Sequence, residues 1–557
     1  MKSSFISLFA YTGLFLLLAS PSWANLRRRQ GVEFLKELAA TAGSTSAGAA
    51  TFDQPIDHGN PSLGTFKQRY WYNTTYWKGP GSPVVLSTVG EAAADQFFQG
   101  YLMNATMPGL HAQAMGAALI SIEHRYWGES SPFAQLNTSN LQYLTVQQAM
   151  SDFTNFASNA QLPFDAGNAS NAANVPWVYY GTSYAGNLAA WMAKLTPGTF
   201  WAYHATAAPV QVIFDYSTYY TPIQQGMPQN CSADMSRIAD HVDSVVNGGN
   251  TTAIKELQSM FAMQDLEHAD DFAEAISGPL STWQSTYFYQ GYSRFFQMCD
   301  TIQGVRQVDT AGNGTNAAVP GAAIPGPEGA GLDKALVNYA NWFKAESLPG
   351  SCASFNVSEW SDPMNVKCFD SYNATSPFYT DKTPNNVINQ ELGVQWVWMQ
   401  CNQPMMWYHT GAPTGNTSLV SRLKTAQYYQ RQCDLAFPTM DNATYGSNGR
   451  PEQAAQEMNT LTGGWDISGT SRLLFVNGEL DPWRSGGVSS PQRPGGPVAS
   501  TADMPVILVP GAHHNADLAT AAGLANAGVK SAQDNATAQI KQWVGEFYTE
   551  KGKTPPF

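Results

Sequence analysis

Five short apolar runs, each leading into a loop, constrain the fold of this 557-residue chain more than any other feature. Apolar, β-branched runs that alternate with helix-forming stretches are typical of a parallel sheet covered by helices on both faces. The runs are PVVLSTVG (83–90), AALISIEHRYWGES (117–130), VPWVYYGTSYAG (175–186), RLLFVNGELDPW (472–483) and MPVILVPGAHH (504–514). Such sheets carry their sites at the carboxyl ends of the strands. We therefore expect an α/β fold with its chemistry in the loops that follow these runs.

The stretch from about 210 to 465 differs in composition from both of its flanks. It holds helical patterns such as 253–276, a loop rich in Gly, Pro and Ala at 310–331, and all six cysteines. An even number of cysteines without a C-x-x-C pair indicates disulfides in an oxidising compartment, not a zinc site. We predict a core in two parts, 46–209 and 466–557, with a mostly helical, disulfide-stapled cap, 210–465, inserted between its strands.

The N-terminus has the pattern of a secretory signal. Lys2 precedes an apolar stretch, 5–19, and residues 22–24 form a small-x-small cleavage site. We predict a signal peptide at 1–24, followed by a propeptide or flexible N-terminus at 25–45. A membrane anchor is the alternative, but the apolar stretch is short for a span, so we expect no membrane association after cleavage.

Twelve N-x-[ST] sequons also indicate export, because this motif is the acceptor for N-glycosylation. They lie at Asn73, Asn104, Asn137, Asn168, Asn230, Asn250, Asn313, Asn356, Asn373, Asn416, Asn442 and Asn535. We predict a secreted glycoprotein, with a vacuolar or lysosome-like compartment as the alternative.

Charge and motif content exclude several classes of function. The chain has 42 acidic and 29 basic residues and a net charge of −13, and no basic patch stands out, so we expect no nucleic-acid partner. It contains no H-E-x-x-H, no P-loop and no dinucleotide fingerprint, so we expect neither a metal nor a cofactor. The low content of Lys and carboxylates is compatible with acidic surroundings.

One run ends in the pattern of a nucleophile elbow, the strand-to-helix turn that exposes a serine. In VYYGTSYAGNLAAW (178–191), Gly181 and Ser183 match the start of G-x-S-x-G. Ala185 replaces the second glycine, and Gly186 comes one place later. Because the turn needs a small residue where strand and helix crowd together, alanine is an acceptable replacement.

Two later runs supply the partners of a catalytic serine. In an α/β-hydrolase the triad follows the chain order Ser, Asp or Glu, His, each at the end of a core strand. Asp481 follows LLFVNGEL, and His513 and His514 follow PVILV and a turn. The long interval between Ser183 and Asp481 is accounted for by the predicted cap. We therefore predict an α/β-hydrolase core.

These residue types suit acyl transfer. A neutral imidazole removes the proton of the serine hydroxyl, and the carboxylate orients the imidazole and stabilises its charged form. The oxyanion that forms needs backbone N–H donors. We expect one from Tyr184 and another from the loop VGEAAADQ (89–96), where Gly90 and Glu91 lie nearest the strand end.

Several long strings resemble a known family of serine peptidases, the prolyl carboxypeptidase and dipeptidyl peptidase II family, and within it the fungal acid prolyl endopeptidases. The resemblance covers nearly the whole mature chain. It is carried by FDQPIDHGNP (52–61), TFKQRYWYN (65–73), EHRYWGESSPF (123–133), LTVQQAMSDF (144–153), GTSYAGNLAAW (181–191) and NGELDPW (477–483).

The resemblance implies a secreted serine peptidase that cleaves after proline, with a helical cap forming much of the substrate site. Ser183 and Asp481 correspond to the nucleophile and the triad acid. The family places an aspartate three residues after its histidine, as in H-x-x-D-L, which favours His514 over His513. Trp483 matches the tryptophan of D-P-W, whose indole suits a proline ring; packing beneath the triad loop is its alternative role.

Two departures from the family leave the type of cleavage open. Asn187 replaces a small or apolar residue, and Gln403 in WVWMQCNQP (396–404) replaces a glutamate of many relatives. If that carboxylate recognises a charged peptide end, Gln403 favours endopeptidase action. Endopeptidase, carboxypeptidase and dipeptidyl-peptidase action, an esterase with the same triad, and a non-catalytic binding protein on this fold all stay as alternatives. The expected partners are proline-containing peptides, and the protein is expected to be a monomer or a homodimer.

Overall fold

The computed structural model describes residues 46–96, 98–309, 316–384, 386–389, 393–403 and 407–557. The predicted signal peptide, the predicted propeptide or flexible N-terminus and the sequon at Asn313 lie outside the described residues.

A mixed sheet of eight strands forms the centre of the molecule, in the order β1-β2-β4-β3-β5-β6-β11-β12. The pairs β1–β2 and β2–β4 are antiparallel, and every later neighbouring pair is parallel. Numbered along the chain, the strands are β1 (Ala47–Pro55), β2 (Thr65–Asn73), β3 (Val84–Thr88), β4 (Ala118–Ile122), β5 (Trp177–Thr182), β6 (Ala202–Thr206), β7 (Ile213–Asp215), β8 (Arg306–Gln307), β9 (Ala317–Ala318), β10 (Trp407–Tyr408), β11 (Leu473–Gly478) and β12 (Val506–Val509).

All five runs predicted as strands are strands of this sheet, namely β3, β4, β5, β11 and β12. The prediction did not include β1, β2 and β6, and the expectation of a parallel sheet does not extend to β1 and β2. In β2 the buried residues Phe66, Gln68 and Tyr70 alternate with more exposed ones, which is the pattern of a half-covered antiparallel strand and not of a buried apolar run.

Helices cover both faces of the sheet and are the main regular elements of the segment between β6 and β11. The α-helices are Phe98–Tyr101, Met107–Met115, Thr138–Leu141, Val146–Asn159, Tyr184–Leu195, Tyr220–Gly226, Gln229–Asn247, Thr251–Met260, Ala269–Ser277, Arg294–Ile302, Leu332–Trp342, Pro377–Thr380, Val394–Asn402, Ala426–Ala436, Pro451–Thr462, Thr520–Ala525 and Ala527–Glu550. Short 3₁₀ turns lie at Pro61–Leu63, Ala94–Gln96, Ser217–Tyr219, Gly278–Ser285, Ala353–Phe355, Ser358–Trp360, Lys367–Phe369 and Pro482–Gly486, and a π turn lies at Phe343–Ser347.

The core has two layers because successive side chains of a strand point to opposite faces. In β3, Val84 and Leu86 belong to one buried cluster and Val85 to the other. The first cluster includes the helices Val146–Asn159 and Tyr184–Leu195, and the second includes Ala527–Glu550. Each fully buried Val, Leu or Phe contributes about 1.5–3 kcal/mol. The sheet order and the two helical layers are those of an α/β-hydrolase core.

The segment predicted as the cap, 210–465, contributes no strand to the eight-stranded sheet in the parts of it that the structure describes. It contains three disulfides, Cys231–Cys299, Cys352–Cys368 and Cys401–Cys433. A disulfide of this kind typically stabilises a fold by about 2–4 kcal/mol. Because each pair joins two positions within 210–465, the disulfides stabilise this segment and do not link it to the sheet.

The sequon asparagines lie at the surface or close to it. Of the eleven sequon asparagines in the described residues none is buried; Asn73, Asn137 and Asn230 are half-buried and the others are exposed. Glycosylation at these sites stays a prediction. Within the described ranges, no helix combines the length and the apolar character needed to cross a membrane.

Candidate active site

Ser183 occupies a strained turn between β5 and the helix Tyr184–Leu195. Its backbone has φ 57° and ψ −127°, a conformation that residues other than glycine seldom adopt and that concentrates at functional sites. A Cβ at Gly181 would overlap the carbonyl oxygen of Ala185, and a Cβ at Gly186 would lie 2.7 Å from a backbone oxygen of β6. Gly186 therefore allows the helix to approach the sheet closely, although the second glycine of the usual motif is replaced by Ala185.

The structure brings together the three residues predicted as a triad. The Nε2 atom of His514 lies 3.0 Å from Oγ of Ser183, and its Nδ1 atom lies 2.9 and 3.0 Å from the carboxylate oxygens of Asp481. All three side chains are buried. Asp481 also accepts a hydrogen bond from the backbone N–H of Trp483 at 2.9 Å, which holds its carboxylate in place.

His513 lies apart from this arrangement. Its ring packs edge-on against Trp283 with 4.5 Å between ring centroids. Its Nε2 atom has no hydrogen-bond partner among the described residues, and burial lowers the pKa of its imidazole to about 4. The chain turns between the two histidines so that only His514 faces Ser183.

The 89–96 loop packs against the elbow. A Cβ at Gly90 would lie 3.8 Å from both the Tyr184 ring and the Ala185 methyl group. The N–H of Tyr184 is the first of its helix and therefore has no carbonyl partner within the helix. The carboxyl group of Glu91 is buried, and burial raises its pKa to about 7 although its own backbone N–H acts in the opposite direction.

Trp483 lies beside the triad within a set of aromatic side chains from the cap. Its ring centroid is 6.2 Å from that of His514, 4.9 Å from His409, 5.4 Å from Tyr219 and 5.8 Å from Trp407. Its indole N–H donates to the side-chain oxygen of Gln284 at 2.9 Å. These neighbours of Trp483 could not be predicted from the sequence, because they follow no core strand and carry no motif.

Asn187 and Gln403 do not contact the triad through their side chains. Asn187 is fully buried one turn after Ser183, and neither amide atom has a hydrogen-bond partner among the described residues. The amide of Gln403 instead accepts from the backbone N–H of Val146 at 2.5 Å and donates to Gln147. Gln403 thus caps the helix Val146–Asn159 and joins the cap to the core.

A buried polar cluster lies behind the histidine loop. Asp517, three residues after His514, accepts a hydrogen bond from the Thr206 hydroxyl at 3.0 Å and lies 3.6 Å from Nε2 of His204. Burial raises the pKa of Asp517 to about 7 and lowers that of His204 well below its ordinary value. The neutral form of His204 is therefore favoured at neutral pH, and that of Asp517 is favoured below about pH 7.

Several known proteins are similar to this chain along most of its length. The family model described as "Serine carboxypeptidase S28" matches residues 54–315 and 339–535. "Serine protease vicPa" from Bipolaris victoriae is 42% identical over 92% of this chain and 91% of its own length. "Probable extracellular serine carboxypeptidase" from Arthroderma benhamiae is 28% identical over 89% of this chain and 68% of its own length. "Lysosomal Pro-X carboxypeptidase" from Homo sapiens is 26% identical over 97% of this chain and 99% of its own length.

These matches confirm the resemblance drawn from the motifs. The family model covers well over half of the chain, and the 42% identical relative is matched along nearly its whole length. The chain therefore belongs to the serine carboxypeptidase S28 family and is a serine-type peptidase.

Proposed function

We propose that Ser183, His514 and Asp481 are the catalytic triad of this peptidase, and that it hydrolyses peptide bonds on the carboxyl side of proline. The observation that carries the proposal is the pair of contacts made by one imidazole, 3.0 Å to the Ser183 hydroxyl and 2.9 Å to the Asp481 carboxylate. Nucleophile, base and orienting carboxylate within hydrogen-bond reach of one another are the signature of an activated serine.

The reaction follows from this arrangement. The Nδ1–H of His514 donates to Asp481, which leaves Nε2 free to accept the proton of Ser183 as Oγ attacks the scissile carbonyl carbon. The resulting imidazolium donates that proton to the leaving amine, and an acyl-enzyme ester forms on Oγ. A water molecule then attacks the ester carbonyl while His514 removes its proton. His514 passes this proton to Oγ as the C–Oγ bond breaks, which releases the acid product and restores Ser183.

The negative oxygen of each tetrahedral intermediate needs donors that are already in place. We assign them to the backbone N–H of Tyr184 and to an N–H of the 89–96 loop, with Glu91 as the candidate. The packing of Gly90 against the Tyr184 ring supports this assignment, since it places the start of the loop beside the elbow.

Proline recognition is assigned to the aromatic set around Trp483. A proline ring is apolar and compact, and an indole face offers it contact area without hydrogen-bonding demands. The printed name of the human relative, Pro-X carboxypeptidase, supports a proline substrate. Asn187, buried one turn after the nucleophile, is proposed to border the same pocket; Gln403 acts as a helix cap in the structure, which weakens its proposed contact with substrate.

The protein is proposed to act outside the cell, at acidic pH. The predicted signal peptide, the sequons, the three disulfides and the printed name of the extracellular relative support export. Disulfides persist in oxidising compartments and are rare in the cytosol.

Replacement of the nucleophile tests the proposal. Ser183→Ala is expected to abolish hydrolysis of a chromogenic proline p-nitroanilide and labelling by a fluorophosphonate. Ser121→Ala, which removes another buried hydroxyl and leaves every sequon intact, is the control and is expected to keep both. Undiminished hydrolysis by purified Ser183→Ala would refute the triad assignment.

The products of a long proline-containing peptide distinguish the types of cleavage. Internal fragments ending in proline indicate an endopeptidase, stepwise loss of single C-terminal residues a carboxypeptidase, and release of N-terminal dipeptides a dipeptidyl peptidase. Mass spectrometry reads all three from one digest. Faster turnover of simple esters than of proline amides would favour an esterase.

A further inference from the structure

Two consecutive residues after β4, Glu123 and His124, contact the two elements that supply the proposed oxyanion donors. The carboxylate of Glu123 accepts a hydrogen bond from the backbone N–H of Ala94, in the 89–96 loop, at 2.9 Å. Nε2 of His124 lies 3.0 Å from the hydroxyl of Tyr184. Both side chains are fully buried. The catalytic steps themselves give neither residue a role.

The Glu123 carboxylate is held rigidly. Arg69 donates to its two oxygens at 2.7 and 2.8 Å, and the Ser130 hydroxyl donates at 2.6 Å. A Cβ at Gly128 would overlap one of these oxygens, so the turn leaves space only for the carboxylate. Burial raises the pKa of Glu123, and the Arg69 hydrogen bonds act in the opposite direction. A charge-assisted hydrogen bond to an acceptor that is fixed in this way holds the Ala94 N–H in one orientation.

His124 has one possible tautomer in these contacts. Its Nδ1 atom lies 2.9 Å from the carbonyl oxygen of Arg125, which can only accept, so Nδ1 carries the hydrogen. Nε2 therefore accepts, and the Tyr184 hydroxyl donates to it. Burial lowers the pKa of His124 to about 4, which keeps the ring neutral above that pH. Trp396 of the cap packs edge-on against the Tyr184 ring at 5.8 Å.

We propose that Glu123 and His124 are positioning residues that hold the oxyanion-binding N–H groups, Glu123 through the 89–96 loop and His124 through Tyr184. This inference rests on the proposed function, since it concerns the same oxyanion. A donor acts fully only when it already points at the site where charge develops. Displacement of either element therefore slows acylation more than it weakens substrate binding.

The chain offers a matched control in the same region. Asp152 is also a fully buried carboxylate paired with an arginine, at 2.6 Å from both Nε and Nη2 of Arg125. Its carboxylate accepts from Arg125 and bonds to Nε2 of His58, while Gln54 donates to its backbone carbonyl. Within the described residues, no hydrogen bond joins Asp152 to the 89–96 loop or to Tyr184. A change from carboxylate to amide at Asp152 measures the cost of damage to a neighbouring buried ion pair without the loss of a hydrogen bond to the 89–96 loop or to Tyr184.

The experiment compares Glu123→Gln and Tyr184→Phe with Asp152→Asn in the full chain. The second-order rate of fluorophosphonate labelling, kcat and KM for a proline p-nitroanilide, and the unfolding temperature are measured for each. Outright loss of an oxyanion donor costs roughly 10²–10³-fold in kcat. Displacement is expected to slow labelling and kcat by about 10-fold, with KM changed less than about 2-fold. Tyr184→Phe keeps the aromatic ring, so it tests the proposal even where Glu123→Gln fails to fold.

Labelling and kcat at the wild-type rate in folded Tyr184→Phe would overturn the role of His124, and the same result in Glu123→Gln would overturn that of Glu123. If labelling and kcat slowed equally in Asp152→Asn, the slowing would be a general result of lost stability, and the roles of both Glu123 and His124 would be overturned. Wild-type protein that is labelled but does not cleave proline peptides would refute the proline specificity alone, because labelling needs only the serine and its oxyanion site. Wild-type protein that is not labelled would refute the proposed triad.

Discussion

Nε2 of His514 lies 3.0 Å from Oγ of Ser183, although 331 positions separate the two residues in the chain. The neighbouring His513 instead packs against Trp283 of the cap. The two adjacent histidines therefore face different parts of the molecule.

His514→Ala is expected to lower kcat by about 10³-fold or more, because loss of any triad member leaves only the binding and oxyanion contributions. His513→Ala is the control, and it is expected to change kcat less than about 10-fold while lowering stability through lost packing. Steady-state kinetics on a proline p-nitroanilide measure both. Equal losses of kcat in the two variants would contradict the division of roles.

Glu91 is expected to shape the alkaline side of the pH profile. Its buried carboxyl group has a pKa of about 7. Above that pH it ionises beside Tyr184, and a negative charge there opposes formation of the oxyanion. Wild-type kcat/KM is therefore expected to fall as the pH rises through about 7. Glu91→Gln is expected to keep its activity to higher pH, since an amide does not ionise. Superimposable pH profiles would exclude this role.

Asp517 is expected to make stability depend on pH. Burial raises its pKa in the folded state from 3.8 to about 7. Between these two pKa values the folded state holds a proton that the unfolded state has lost. The contribution of this proton to stability is full below about pH 4 and is lost as the pH rises through 7. Because an amide does not ionise, the difference in unfolding temperature between Asp517→Asn and wild type is expected to grow, in favour of the variant, as the pH rises from 4 to 8. Thermal unfolding across that range measures the difference, and a constant offset would contradict it.

The two small residues after the nucleophile are expected to differ in their tolerance of change. Gly186→Ala would place a methyl group 2.7 Å from the Thr206 carbonyl oxygen, so a loss of about 1–3 kcal/mol and lower activity are expected. Ala185→Gly restores the usual motif and is expected to cost only about 1 kcal/mol of helix propensity, with activity kept. Unfolding curves and kcat/KM test the pair; an inactive Ala185→Gly with a stable Gly186→Ala would reverse the assignment.

Much of the fold could be predicted from the sequence because buried parallel strands consist of continuous runs of apolar residues. Each of the five predicted runs is a strand, and β1, β2 and β6 were missed because their patterns are mixed or short. The order of Ser183, Asp481 and the two histidines also followed from the chain, since each comes directly after a strand. Carboxyl ends of parallel strands meet at one edge, which makes sequence position informative about spatial position.

What only the tertiary structure decided are the contacts between segments distant in sequence. It gave Gln403 a hydrogen bond to Val146 and brought His409, Tyr219 and Trp407 of the cap around Trp483. The H-x-x-D-L resemblance already favoured His514 over His513, and the structure adds the contact of His514 with Ser183. It also buried Glu91 and Asp517 deeply enough to raise the pKa of each to about 7. Local propensity specifies strands and turns, whereas burial and side-chain contacts across hundreds of residues depend on how the cap and the sheet pack together.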